Sequence, residues 1–431
     1  MPVKRIAIFK HEPGRQRGAA LLIMLVILVV GAAAVLINSL TSSAVKTARQ
    51  ATTAAALAQA KEALIGIAAT YTDYPGSLPC PDTNDNGTSD AGGTTGCPSY
   101  IGRLPWKTLG LPDLRDDAGE RLWYTLSRNV RRYNSVLPLN SETTGTLNIT
   151  GTYTANNLMA IVFAPGANIG SQSRSNNQTA FCTTTGDTRI ESLCAANYLE
   201  GSNANPSTEA NPVAGINPNQ GYQNANAGVP FNDQLISISQ DQLFPAVEMR
   251  IAREVKSCLD NYAAASANKY PWAAPVTDTA GYSGTYNTFF GRLSTTPSNA
   301  TSGLPDSSMS TAWPSSCTLF ASTYWTSWQN LVFYQVAGGY QPGGSTSCTP
   351  NCITINNSGA YRAATLVARR AIGTQVRTSP ATDPPTPYLE GINPHSGSTP
   401  AAIFETYNPS GPNYSTVNDL VLCLDGKNNC K

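Results

Sequence analysis

The sequence predicts an α+β fold, in which a long N-terminal transmembrane helix continues into a head of helices packed on antiparallel sheets. Three observations lead to this prediction. Residues 19–40 are apolar and uncharged over the roughly 20 residues that a membrane-spanning helix needs. A second helical pattern follows at 243–262. Short apolar runs bounded by Gly and Pro have the length of strands.

Helical character continues beyond residue 40. Residues 41–71 are rich in Ala, which has the highest helix propensity, and contain no Gly before Gly66. A stripe that can dock on a sheet is formed by Leu57, Ala60, Leu64, Ile67 and Ala68. We expect the helix to end at Tyr74, because the residue before a proline disfavours helical backbone.

The N-terminal segment has three competing interpretations. It can be a cleaved signal peptide cut near 32–34, a plain signal anchor, or a prepilin leader cut after Gly18. A basic leader ending in Gly18, an apolar segment opening at Ala19 and an unbroken helix resemble the type IV pilin and type II secretion pseudopilin superfamily. The resemblance covers the first 75 residues.

The resemblance implies a processing site and a domain order. A prepilin peptidase would cut between Gly18 and Ala19, leaving 19–40 as the transmembrane half of the helix and 41–74 as its periplasmic half. Most family members carry Glu at the fifth mature position, where this chain has Ile23. The large tip-located, K-type minor pseudopilins also lack that Glu.

The head is predicted to contain two related pilin-like modules, 75–235 and 236–431. Tyr74-Pro75 and Tyr270-Pro271 each end a helix, and Pro and Asp follow both at the same offsets. Gly102-Arg103-Leu104 then matches Gly291-Arg292-Leu293, which indicates an internal duplication. The first module carries a long polar insertion, 166–230. The strand candidates are 158–164, 330–336, 360–368 and 417–424.

Charge and cysteine content limit the possible functions. The chain has a net charge of +1, and loss of the leader, with five basic residues and one acidic residue, leaves −3. This argues against a nucleic-acid partner. The ten cysteines lack paired CxxC zinc spacing and are expected to form disulfides, although sequence alone cannot determine their pairing. Short spacings suggest Cys80–Cys97, Cys182–Cys194, Cys348–Cys352 and Cys423–Cys430, leaving Cys258–Cys317.

One loop resembles a calcium site. The side chains that fit the first, third, fifth and ninth positions of an EF-type loop are Asp82, Asn84, Asn86 and Asp90. Gly87 fits the sharp turn, Asp85 can add charge, and Asp116 or Asp117 can complete the shell, whereas Gly93 replaces the terminal Glu. The alternative is a turn whose side chains cap their own backbone. Calcium-bound loops in the resembled family support the first interpretation.

The sequence offers little for catalysis. Beyond the leader the only histidine is His395, without a nucleophile elbow, and no nucleotide-binding motif is present. An aromatic-rich stretch at 313–334 is expected to pack in the second module, with a binding face as the alternative.

These features together predict a structural protein rather than an enzyme. The resemblance implies a minor pilin or pseudopilin at or near the tip of a type IV pilus-like or type II secretion filament. The alternative is a tip adhesin that binds a surface or a glycan. The implied partners are other minor and major pilins, the prepilin peptidase, and an assembly platform with its ATPase. The expected location is the bacterial inner membrane, crossed once with the head in the periplasm, and later the filament or cell surface.

Overall fold

The structure is a computed structural model. It describes residues 47–90, 96–132, 139–174, 193–204, 221–225, 230–278, 281–301, 303–378, 383–408 and 416–425. Residues 56–431 form one compact unit, and residues 1–55 form another, in which the described part is helical. The predicted processing residues Gly18 and Ala19, the assembly residue Ile23 and the segment 19–40 lie outside the described residues.

Three α-helices occur among the described residues: α1 over 47–70, α2 over Gln240–Ala264 and the short α3 over Trp325–Trp328. Helix α2 begins after Ser239, whose backbone N–H donates to the Gln242 side chain at 3.0 Å, the reach-back bond of a capping box. Its buried stripe includes Leu243, Val247, Ile251 and Val255, as the helical spacing predicted.

The apolar stripe of α1 behaves largely as predicted within the compact unit. Leu57, Ala60, Leu64 and Ala68 are buried, and Ile67 is half-buried. After the helix ends, the backbone N–H of Gly76 donates to the Ala68 carbonyl at 2.8 Å, which closes the helix terminus.

The strands fall into two groups, one before and one after α2. Before α2 the strands are β1 (Ile101–Arg103), β2 (Trp123–Leu126), β3 (Leu147–Thr150), β4 (Ala155–Leu158), β5 (Ala160–Ala164), β6 (Gly221–Gln223) and β7 (Gln234–Ile238). After it they are β8 (Phe290–Arg292), β9 (Ala300–Thr301), β10 (Leu304–Pro305), β11 (Val332–Val336), β12 (Ile353–Ile355), β13 (Ser358–Tyr361), β14 (Ala363–Val367), β15 (Ile403–Phe404) and β16 (Leu420–Leu424).

The two groups have the same topology. An antiparallel sheet in the order β1-β2-β5-β7 has its counterpart in β8-β11-β14-β16. A small sheet in the order β4-β3-β6 has its counterpart in β13-β12-β15, and in both sheets the last pairing is parallel. We refer to residues 56–239 as the first half and to residues 240–425 as the second half.

Two hydrogen bonds show which residues of the two halves correspond to each other. The Tyr124 hydroxyl donates to the Pro79 carbonyl at 3.2 Å, and the Tyr334 hydroxyl donates to the Pro271 carbonyl at 3.0 Å. Pro79 is therefore the counterpart of Pro271. The sequence comparison had instead matched Pro75 with Pro271, which is wrong because the segment between α1 and β1 is longer than its counterpart.

The predicted fold class is wrong as stated. We expected each head module to be a helix on an antiparallel sheet, but the described residues form a mixed α/β structure of five small sheets, two of them with a parallel pair. The reason lies partly in the polar insertion at 166–230. It supplies strand β6 and two short 3-10 helices, Ala195–Asn197 and Gly201–Ala204, that its composition did not indicate.

The predicted transmembrane helix and inner-membrane location also need correction. Within the part of the chain that the structure describes, no helix combines the length and the apolar character that crossing a bilayer requires. Helix α1 carries Lys61 and Glu62 between its apolar positions, and α2 carries Glu248 and Arg250. The prediction of a single-pass inner-membrane protein with a periplasmic head is therefore contradicted.

A glycine of β8 and a glycine of α1 provide a stability test. A Cβ on Gly291 would lie 1.8 Å from the Ala274 carbonyl oxygen, whereas a Cβ on helical Gly66 would contact nothing within 4 Å. We expect Gly291→Ala to destabilise the protein by about 3 kcal/mol and Gly66→Ala to stabilise it by about 1 kcal/mol. Chemical denaturation measures both. Equal effects would show that the close approach at Gly291 is absent.

Candidate functional site

Three of the predicted cysteine pairs are confirmed. Cys80–Cys97, Cys258–Cys317 and Cys348–Cys352 are disulfides, with Cα–Cα distances of 5.4, 4.9 and 4.7 Å. Cys194 and Cys423 are also disulfide-bonded. Their predicted partners, Cys182 and Cys430, lie outside the described residues.

The side-chain oxygen atoms of the predicted calcium loop accept hydrogen bonds from the backbone of the same loop. The buried Asp82 carboxylate accepts the N–H groups of Asn84, Asn86 and Gly87 at 3.1, 3.3 and 2.6 Å. The Asn84 amide oxygen accepts the N–H of Asn86 at 3.2 Å. These are the bonds of a self-capping Asx turn, the alternative interpretation of this loop.

The other two predicted ligands are engaged in the same way. The Asn86 amide oxygen accepts the Thr88 N–H at 2.7 Å, and Asp90 Oδ2 accepts the Thr83 N–H at 2.7 Å. Asp90 Oδ1 accepts the Asn84 side-chain amide at 2.9 Å.

The nearby acids do not complete a metal shell. Asp85 pairs with Arg121 at 2.8 Å, and Asp116 accepts the backbone N–H groups of Ala118, Glu120 and Gly166. Among the described residues no group of three or more His, Cys, Asp or Glu side chains could hold a metal ion. In this conformation the oxygen set does not fit calcium, and the ion remains a prediction from the sequence pattern.

The structure contains a repeated polar cluster that the sequence analysis missed. Each half carries Ile-Gly-Ser/Thr-Gln-x-Arg, then Tyr-Leu-Glu-Gly-x-Asn, then Asn-Asp. The first copy comprises 169–174, 198–203 and 232–233, and the second comprises 372–377, 388–393 and 418–419. A search for internal repeats with free spacing between short motifs would have found them.

In the first half the cluster is a reciprocal pairing of two acids, which we call the carboxylate clasp. Asp233 Oδ2 accepts the Glu200 N–H and the Asn203 amide, both at 2.9 Å. Glu200 Oε2 in turn accepts the N–H groups of Asn232 and Asp233 at 3.1 and 3.0 Å. Glu200 Oε1 accepts the Gln172 amide at 2.8 Å. Three segments distant in sequence are thereby joined.

The second half repeats four of these five hydrogen bonds. Asp419 Oδ2 accepts the Glu390 N–H and the Asn393 amide, both at 2.9 Å. Glu390 Oε2 accepts the Asn418 N–H at 3.1 Å, and Oε1 accepts the Gln375 amide at 2.8 Å. Because the same motifs form the same pairing in both halves, the clasp is part of the repeated framework.

Arginines complete each cluster. In the first half Arg174 donates to the carbonyls of Asn197 and Gly166 at 2.9 and 2.7 Å. In the second half Arg377 donates to the carbonyls of Pro387 and Arg369 at 2.8 and 2.7 Å. Both guanidinium groups lie over a tyrosine ring, at 4.8 and 5.0 Å from the centroid.

A second arginine also contacts each tyrosine ring. Arg103 lies 4.0 Å from the Tyr198 ring and Arg292 lies 4.5 Å from the Tyr388 ring. Burial lowers the pKa of Arg292 to about 10. The contacts of two arginines with the tyrosine help to fix the position of the Tyr-Leu-Glu-Gly segment in both halves.

Electrostatics favour a proton in each clasp. Burial and then repulsion by Glu200 raise the pKa of Asp233 well above its usual range, and burial and Glu390 do the same to the pKa of Asp419. In both aspartates Oδ1 is buried, and it accepts no hydrogen bond from any residue that the structure describes.

The clasps are built for structure rather than catalysis. Asp233 is 5% exposed and Asp419 is 0% exposed, so a substrate has no access to either carboxyl group.

The remaining sequence candidates are structural. His395 contacts the Phe404 ring edge-on, with centroids 4.9 Å apart, and its Nε2 is 3.2 Å from the Ile403 carbonyl. In the aromatic-rich stretch Trp325, Trp328 and Phe333 are buried. This packing agrees with the expectation for that stretch and leaves little aromatic surface for a ligand.

Comparison of the chain with family models, with curated proteins and with solved structures gives no match. The function of these groups is therefore argued from their geometry and from the sequence.

The clasps are expected to contribute more to the stability of the protein in acid than at neutral pH. The pKa of Asp419 in the folded state is raised above its ordinary value of 3.8. The contribution of Asp419 to the free energy of unfolding is therefore complete below pH 3.8, and it is lost as the pH rises through the folded-state pKa. An Asn at 419 stays neutral at every pH. We expect Asp419→Asn to have the same free energy of unfolding as the wild type at about pH 4. At about pH 8 we expect its free energy of unfolding to exceed that of the wild type by at least about 1.4 kcal/mol.

Thermal unfolding of the full chain across this pH range is the measurement, with two matched variants. Asp233→Asn should behave like Asp419→Asn. Asp306→Asn should lose stability at high pH instead, because the Lys269 ammonium at 2.9 Å lowers the pKa of Asp306. Loss of stability at both pH values in the two clasp variants would contradict a protonated clasp.

The Asp82 loop yields a separate prediction. Asp82→Ala removes the acceptor of three backbone N–H groups and should destabilise the protein by about 1–3 kcal/mol, equally in calcium chloride and in EDTA. The unfolding midpoint of the wild type should not change between the two solutions. A midpoint that rises with calcium in the wild type but not in Asp82→Ala would instead establish a calcium site.

Proposed function

We propose that this chain is a minor pilin or pseudopilin, a structural subunit at or near the tip of a type IV pilus-like or type II secretion filament. In this proposal the leader is removed after Gly18 by a prepilin peptidase. The other partners are minor and major pilins, together with an assembly platform and its ATPase acting indirectly. The role is structural, with no enzymatic step and no nucleic-acid partner.

The observation that carries the proposal is the packing of the C-terminal part of α1 within the head. Residues 56–70 are helical, and their buried stripe of Leu57, Ala60, Leu64 and Ala68 joins the main core. In the pilin superfamily the head is held in this manner by the C-terminal part of a long helix. The basic leader and the apolar segment opening at Ala19 supply the remaining features in sequence.

The size and chemistry of the head favour a tip position. The repeated helix-and-sheet framework makes the head bulky, which suits a terminal subunit better than one repeated closely along a shaft. The absence of Glu at position 23 removes the contact by which family subunits are thought to dock beneath one another. The disulfides Cys80–Cys97 and Cys258–Cys317 indicate oxidising surroundings.

Mass spectrometry of the mature N-terminus tests this proposal. We expect the chain to begin at a methylated Ala19. Gly18→Val should block processing, whereas the matched variant Gly14→Val should be processed normally, because only the residue before the cut is required. A mature chain that retains Met1, or one that begins near Val35, would contradict the proposal.

A further inference from the structure

A polar cavity lies beside the C-terminal turns of α2. Its volume is about 460 Å³, and its charged and polar lining comes mainly from Arg253, Lys256, Ser257, Asp260, Asn261 and Arg362. Arg362 immediately precedes β14, so the cavity is formed by two elements of the second half. This volume lies within the range of about 300–1,000 Å³ that is typical of small-molecule sites.

The lining of the cavity carries a net charge of +2, from Arg253, Lys256 and Arg362 against Asp260. Lys256 is neutralised by Asp260 at 2.7 Å, and Asp260 also accepts the Tyr270 hydroxyl at 3.0 Å. The guanidinium groups of Arg253 and Arg362 have no carboxylate or hydrogen-bond partner among the described residues. Arg362 lies over the Tyr340 ring, 5.1 Å from its centroid, which leaves its N–H edge free. The cavity therefore favours an anion.

The end of α2 does little to oppose this preference. A helix C-terminus carries a partial negative charge, but the last carbonyls of α2 are already satisfied. The Ala263 carbonyl accepts the N–H groups of Ser266 and Asn268 at 3.1 and 2.9 Å, and the Asn261 carbonyl accepts that of Ala265 at 3.2 Å. Two full positive charges therefore outweigh about half a negative charge.

The lining also indicates the class of anion. The planar fork of an arginine matches a carboxylate in two parallel hydrogen bonds. The neutral polar residues of the lining can bond to hydroxyl groups, and they are Ser257, Asn261 and Asn268. The apolar residues of the lining are Ala263 and Ala264. A peptide would need larger apolar contacts for its side chains, whereas a hydrophilic sugar would not.

We propose that this cavity binds a carboxylate-bearing sugar, with Arg253 and Arg362 holding the carboxylate and Ser257 and Asn261 holding the hydroxyl groups. The inference does not depend on the filament proposal. It gives the head a ligand whether or not the N-terminus is processed after Gly18.

Isothermal calorimetry on the full chain with trigalacturonate tests the proposal. We expect saturable binding, no binding of neutral maltotriose, and a loss of affinity of at least about 10-fold in Arg253→Gln and in Arg362→Gln, equivalent to about 1.4 kcal/mol. The matched control is Arg128→Gln, since the Arg128 side chain lies outside the cavity and has no partner among the described residues. This control should bind as the wild type does.

Three outcomes would overturn the proposal. The first is an absence of saturable binding by a wild-type chain with a normal unfolding midpoint. The second is binding that Arg253→Gln and Arg362→Gln leave unchanged while their unfolding midpoints match the wild type. The third is tighter binding of triglutamate than of trigalacturonate, which would assign the cavity to an acidic peptide. None of these outcomes bears on where the mature chain begins.

Discussion

The carboxylate clasp is the interaction on which each half of the head depends. Glu200 and Asp233 each accept the backbone N–H of the other. In the second half Asp419 accepts the backbone N–H of Glu390, and Glu390 accepts that of Asn418, the residue before Asp419. These bonds tie an irregular segment to the residue pair that opens the last strand of the large sheet. Because both acids are inside the fold, removing either one would leave buried backbone donors without acceptors, which is more costly than losing an exposed hydrogen bond.

The repeated framework carries different attachments in its two halves. At the edge of the first large sheet, the backbone of Asp82 forms an isolated β-bridge with that of Arg103. In the second half the corresponding β-bridge joins Ala274 and Arg292. The polar Asp82 loop therefore belongs to the first half alone. The arginine-lined cavity uses Arg362 and the C-terminal turns of α2, which belong to the second. A duplicated scaffold with divergent loops can support assembly in one region and ligand binding in another.

Sequence reasoning succeeded where the determinants are local. The spacing of Leu243, Val247 and Ile251 predicted α2, and the apolar run at 330–336 predicted β11, because burial imposes a period that the sequence displays. Close cysteine spacing predicted Cys348–Cys352 correctly. Cys258–Cys317, which spans 59 residues, followed only by elimination.

Sequence reasoning failed where the determinants are distant in the chain. The 166–230 insertion was interpreted from its polar composition, yet its Glu200 and Asn203 are anchored by partners beyond residue 220. A parallel pair such as β3 with β6 has no local signature, since its strands are separated by about 70 residues. The prediction of a membrane-spanning helix rested on the hydropathy of residues 19–40. None of the helices that the structure describes is long and apolar enough to cross a membrane.

The most direct test of this account is native-state hydrogen exchange at the clasp amides. The backbone N–H groups of Glu200 and Glu390 are donated to buried carboxylates, so both should exchange as slowly as the central strands β5 and β14. Similar protection in the two halves would support a common framework held by the clasps. Exchange at either amide as fast as in an unstructured peptide would contradict it.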